Sequence, residues 1–303
     1  MEPHENYLRR KPGTKEHQQL LDINANVLDE CVNYGTHCLT WCTEKITNQN
    51  NYELTPIMLI RHVLEILDSI SVLYRQGCIN SSEPLLRSLF EAILGINYIL
   101  KEDTKRRALA YQISNQIQRL STYRKIEKSI LQNSKFHSHK TRLEKLKGGI
   151  LSNSQQIQRK IKNKEVVKII NEWYRVRNFQ KRNPNWFSLF EGPQSIQALA
   201  GELGYRDWYD SLYRKWSTGV HATDTFNNIV RQGQRAMILG LRDQRNLQAY
   251  SSLALSMAIT TYRSAIQYFA PQMEIDFSQW YVSSIRNWYL RLASEEKLIN
   301  ISR

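Results

Sequence analysis

Four residues in the stretch YRKWSTGVH could do chemistry: Tyr213, Arg214, Ser217 and His221. Tyr213, Ser217 and His221 fall at i, i+4 and i+8 and line one face of a helix. Arg214 and His221 also share a face, about 10 Å apart along an unbroken axis, and Gly219 can loosen the turn and draw them together. An imidazole moves protons near neutral pH, and a guanidinium holds a phosphate with two parallel hydrogen bonds. Together they suffice for metal-free RNA cleavage, in which a 2′-hydroxyl attacks the adjacent phosphorus. Histidine would act on the hydroxyl or the leaving oxygen, and arginine would stabilise the added charge on the phosphate.

A second pair stands upstream. Arg87 and Glu91 lie at i, i+4 among Leu86, Leu89, Phe90 and Ile93. A charged pair in so apolar a helix is either an internal salt bridge or a supporting part of a site. His62 sits in another apolar helix and reads as a hydrogen-bonded helix residue rather than a catalyst. His137 and His139 fall in a basic loop, where phosphate contact or solvation fits. Cys31, Cys38 and Cys42 are spaced along one helix face without a CxxC knuckle, which points to buried thiols rather than a zinc site. A metal-assisted arrangement of His221, Asp224 and Glu91 is the weakest of the catalytic options. No metal ligand set and no cofactor is expected, and no GxGxxG, GxxxxGK[ST], GxSxG or HExxH occurs.

The elements that carry these residues read as helices. Twelve glycines and seven prolines in 303 residues leave too few turns for a sandwich or barrel. The patterning predicts helices from about Lys15 to Thr47, from a Thr55-Pro56 cap to Gly77, and through LLRSLFEAILGINYIL. Further helices are expected over Asp103–Leu131, Ser154–Gln180, a short one in QSIQALAGELG, then about Arg245–Phe269 and Asp276–Ser294. The fold class is therefore all-α, a multi-helix bundle. Residues 1–53 are expected to pack as an N-terminal helix on a single helical domain over 54–303. No segment reaches the roughly 18–20 uncharged apolar residues of a membrane span. The opening residues carry no apolar signal core, so a cytoplasmic location is expected.

The formal charge is +14, and it is concentrated: Arg124 to Lys168 holds thirteen basic residues against three acidic ones. This basic excursion, at about 124–170, makes nucleic acid the favoured partner. Lys140, Arg142, Lys145, Lys147, Arg159, Lys160, Lys162 and Lys164 are its candidate phosphate contacts. Arg175 and Arg177 follow, interleaved with Trp173, Tyr174, Phe179, Trp186 and Phe187. Such a run can stack single-stranded bases, although aromatics at helical spacing also serve as core. A non-catalytic nucleic-acid-binding or assembly module stays open beside the nuclease. The apolar, aromatic WYVSSIRNWYL could serve a homodimer.

Three blocks together resemble a bacterial helical family known as domain of unknown function five-six-seven-seven. They are LYRQGCINSSEPLLRSLFEAILGINYIL with Gly77, Arg87 and Glu91, NWFSLFEGPQSIQALAGELGY with Trp186, Ser195, Leu199 and Ala200, and YDSLYRKWSTGVHATD with Tyr213, Ser217 and His221. That family is similar to the HEPN superfamily of nucleotide- and RNA-binding helical domains, many of them metal-independent ribonucleases of phage defence and toxin–antitoxin systems. The resemblance implies a HEPN-like core with a basic helical insertion and Arg214 with His221 as the catalytic pair, usually completed across a dimer. It also implies an antitoxin or defence-system protein as a possible partner.

Overall fold

The structure, a computed structural model, describes residues 14–47, 51–132, 144–145, 147–152, 155, 163–220, 225–233 and 235–288. The long apolar-striped segments are helical. α1 (Lys15–Thr43) starts where the Thr14 hydroxyl accepts the His17 N–H at 3.2 Å, satisfying one of the orphan donors of a first turn. It ends at Thr43 rather than Thr47. α2 (Leu54–Arg75) stops before Gly77, whose φ of +68° suits glycine. Thr55 lies inside the first turn of α2 instead of capping it. Its hydroxyl accepts from the Gln112 side chain at 2.8 Å, a contact across helices that no local pattern encodes.

α3 (Glu83–Lys101) has Pro84 in its first turn, as the sequence predicts. α4 (Thr104–Gln132) follows, and α5 (Lys164–Gln180) begins where Asn163 Oδ1 accepts the Glu165 N–H at 2.9 Å. That cap sets the start of α5 ten residues after the expected Ser154. α6 (Ile196–Glu202) is capped by Ser195, and α7 (Arg206–Trp208) runs through a widened π turn, Tyr209–Tyr213, into α8 (Arg214–Val220). α9 (Leu247–Phe269) and α10 (Glu274–Trp280) close the order, α10 continuing as a second π segment, Tyr281–Arg286. A small ribbon, β1 (Ile229–Gln232) paired antiparallel with β2 (Arg235–Ile238), was not expected. Its strands are four residues each, and the turn at Gly233 (φ +61°) is the sole punctuation.

Two cores hold these helices. In the larger, α1, α2, α3 and α9 bury Tyr74, Phe90, Trp216 and Tyr262 completely or nearly so. The Tyr262 hydroxyl donates to the Cys31 carbonyl at 2.7 Å, which satisfies a polar group that burial would otherwise penalise. Gly35 is where α1 meets this residue: a Cβ there would clash with both Leu64 Cδ2 and Tyr262 Oη. Trp280 of α10 stacks on Tyr34, centroids 4.0 Å apart, and donates its indole N–H to Glu30.

The smaller core joins α4 to α5. Leu109, Ile113 and Ile117 pack against Val166, Ile169, Trp173 and Val176. The two helices that flank the basic excursion thus share an apolar seam of their own. Among the described residues, no helix is long and apolar enough to cross a membrane.

Candidate functional site

Tyr213 is the point where the two sequence-selected groups meet. It closes the π turn and is 6% exposed. Its hydroxyl donates to Glu91 Oε1 at 2.7 Å and accepts from Arg87 Nη2 at 3.0 Å. Arg87 Nε also reaches Glu91 Oε1, at 3.2 Å. The guanidinium carbon stands 4.9 Å from the Tyr213 ring centroid, and Phe90 and Tyr209 pack on the same ring. The i, i+4 spacing on α3 makes the ion pair, and the π turn that leads into α8 supplies the phenol that completes it. π turns insert a residue into the helical repeat and recur at functional sites. Here the turn coincides with the residue that faces α3.

Electrostatics keep this phenol neutral. Burial pushes the Tyr213 pKa up, the hydrogen bond to Glu91 adds to that, and Arg87 opposes it; the result is about 12. Tyr213 is thus a neutral donor at pH 7 and a positioning group for α8. A raised folded-state value gives stability that is full below the unfolded phenol pKa near 10 and lost as pH rises through 12. Tyr213→Phe should cost about 1 kcal/mol at pH 8. In urea melts at pH 8 and pH 11, the wild type should lose more stability between the two than the variant. Equal losses would contradict this role.

The other members of the stretch take different places. The Ser217 hydroxyl donates to the Tyr213 carbonyl at 2.8 Å, a bond within the helix. The Arg214 backbone N–H donates to the Tyr209 carbonyl, and its exposed side chain makes no hydrogen bond or ion pair with any described residue. The Lys215 ammonium lies 5.7 Å from the Tyr250 ring centroid. Trp216 is fully buried, edge-on to that same ring, and the Tyr250 hydroxyl donates to Glu83 of α3. His221 lies outside the described residues, as does Asp224.

Of the candidate phosphate contacts, Lys145, Lys147 and Lys164 are exposed. Lys140, Arg142, Arg159, Lys160 and Lys162 lie outside the described residues, as do His137 and His139. Arg175 is bound to Glu172 through two hydrogen bonds of 2.7 and 2.8 Å, and Glu172 also accepts the Phe190 N–H. Arg177 lies over the Trp173 ring, 5.6 Å from its centroid. Both contacts lie within α5, and it is Glu172 that ties the helix to Phe190. The aromatic run divides: Trp173 and Phe187 are core, whereas Tyr174 and Phe179 face solvent, Phe179 at 86% exposure.

Cys31, Cys38 and Cys42 are fully buried, and burial pushes the Cys31 thiol up. No three His, Cys, Asp or Glu side chains converge among the described residues.

One feature has no signature in the local sequence. A cavity of about 370 Å³ opens beside Glu91, walled by His62 of α2, Tyr111, Asn115 and Gln118 of α4, and Trp186. Five separate segments build it, since Ile196 and Leu199 of α6 also line it, so no spacing rule could assemble it. His62 itself is exposed on α2, with Nδ1 3.8 Å from Glu65.

A family described as a family of unknown function, DUF5677, matches residues 53–236. No curated protein and no solved structure matches the chain.

Proposed function

The chain belongs to the DUF5677 family, and for it we propose a function on RNA: phosphate binding by the basic excursion and metal-independent cleavage at Arg214 and His221, after the manner of HEPN ribonucleases. The observation that supports this reading is the Tyr213–Arg87–Glu91 network. Its bonds of 2.7 to 3.2 Å pin the foot of α8 to α3 and leave Arg214, the next residue, open to solvent. In the reaction, the 2′-oxygen bonds to phosphorus as the bond from phosphorus to the 5′-oxygen breaks. The 2′-proton passes to a base and the departing oxygen takes one from an acid. An imidazole serves either role, and a homodimer brings a second one. Arg214 neutralises the charge that grows on the phosphate. Tyr213, Ser217, Arg87 and Glu91 hold the helix rather than touch substrate. A cytoplasmic effector of phage defence, restrained by a partner protein such as an antitoxin, is the setting this chemistry fits.

The second reading is a non-catalytic RNA-binding or assembly module. What favours it is that the hydroxyls of Tyr213 and Ser217 are both engaged within the protein, so neither is free to react.

Both readings require salt-sensitive RNA binding, which fluorescence anisotropy between 50 and 200 mM salt measures. Each phosphate contact on a single strand contributes about 0.7 to the slope of log affinity against log salt. Replacing Lys145, Lys147 and Lys164 together with glutamine should lower that slope by about 2. An unchanged slope would remove these side chains from the binding surface.

A further inference from the structure

The cavity beside Glu91 has a chemistry that RNA cleavage does not use. Its volume of about 370 Å³ falls within the small-molecule range of roughly 300–1,000 Å³. A neighbouring hollow of about 290 Å³ shares Leu59, His62 and Tyr111 with it, so the two adjoin.

Three properties define what would bind. The first is charge. Glu91 carries the carboxylate of the lining, but Arg87 lies 3.2 Å from it, so the site is close to neutral and has little to offer a cation. The second is hydrogen bonding. Both bonds that Glu91 accepts from described residues use Oε1, leaving Oε2 open as an acceptor. The side-chain amides of Asn115 and Gln118 make no hydrogen bond with any described residue and can donate or accept. The third is shape. Trp186 is fixed edge-to-face by Tyr98, Tyr111 and Phe187, at centroid distances of 5.3 to 5.7 Å. Trp186 and Tyr111 both line the space. Rigid aromatic walls favour a flat ring.

We propose that this cavity binds a nucleobase carrying an exocyclic amino group, adenine or cytosine. The amino N–H would be accepted by Glu91 Oε2, the adjacent ring nitrogen would be met by an amide, and of the two rings, set at 76° to each other, one would stack on the base and the other would meet its edge. Guanine presents two adjacent donors that call for both carboxylate oxygens, and Oε1 already holds two hydrogen bonds. The sugar and phosphate stay outside, away from the carboxylate. This binding needs neither Arg214 nor His221.

The test is calorimetric titration of the full chain with adenosine, cytidine and N6,N6-dimethyladenosine. Adenosine or cytidine should bind saturably at one site, and the dimethylated nucleoside about tenfold more weakly than adenosine, as expected for a lost hydrogen bond to a charged group. Glu91→Gln should weaken binding about tenfold for the same reason. Gly95→Ala separates binding from folding. A Cβ there would meet Leu59 and Trp186 at 3.6 and 3.7 Å, ordinary contact, yet it would narrow the cavity. Alanine also favours a helix interior over glycine, so this variant should melt no lower than wild type while binding more weakly. Absence of saturable binding at millimolar nucleoside would overturn the proposal, as would affinities that neither substitution changes. Neither outcome bears on RNA cleavage, which is read with intact RNA.

Discussion

Trp216→Ala should cost about 3–5 kcal/mol, the usual consequence of emptying a buried tryptophan site, and the damage should concentrate on α8. That helix has seven residues. A helix this short does not persist on its own, because nucleation is unfavourable and few hydrogen bonds follow it. Its place depends on side chains on either side of its start. Tyr213 ties it to Arg87 and Glu91, and Trp216, fully buried, wedges it against Tyr250, which is itself bonded to Glu83. Removing the indole leaves the tyrosine network to hold the segment alone. Hydrogen exchange should then show backbone amides of Arg214–Val220 opening at least tenfold faster, while α1, α2 and α9 keep their protection. Trp216→Phe should retain most of the stability. Unchanged exchange in Trp216→Ala would mean that α8 is held by other contacts.

Much of this architecture was legible in the residues. The apolar stripe Leu59, Val63, Ile66, Ile70 and Leu73 gives α2; the first four are buried and Leu73 is half-buried. Pro84 and Gly77 mark the turn between α2 and α3, and buried cysteines at helical spacing were identifiable as core thiols. Tyr213, Arg87 and Glu91 could each be picked out, but not their union. Tyr213 lies more than 120 residues from Arg87 and Glu91, and only the packing of the π turn and α8 on α3 brings them within hydrogen-bonding distance. Thr55 shows the reverse error. Its position before proline looks like a cap, yet its hydroxyl serves Gln112 of α4. The cavity was invisible for the same reason as the network. His62 and Trp186 are unremarkable in their own segments and acquire meaning from three neighbours that sequence order does not place beside them.

The second large effect concerns catalysis. His221→Ala should lower RNA cleavage by a factor of about 10²–10⁴, the range that a positioned acid or base contributes. Arg214→Ala should lower it by about 10²–10³, comparable to deleting one donor that stabilises developing charge. Arg214 is well placed for this. Its side chain is exposed and free of described partners, and it is adjacent in the chain to the anchored Tyr213. Losing both residues should cost little more than losing one, since groups acting on a single transition state are far from additive. The basic excursion should still bind RNA in each variant, so affinity and cleavage will separate.

The most direct measurement is incubation of end-labelled RNA with the purified chain in EDTA, beside His221→Ala and Arg214→Ala prepared identically. Wild type should yield fragments ending in 2′,3′-cyclic phosphate, and both variants should leave the RNA intact over the same time. RNA that stays whole with wild type, or is cut equally by all three proteins, would contradict the account.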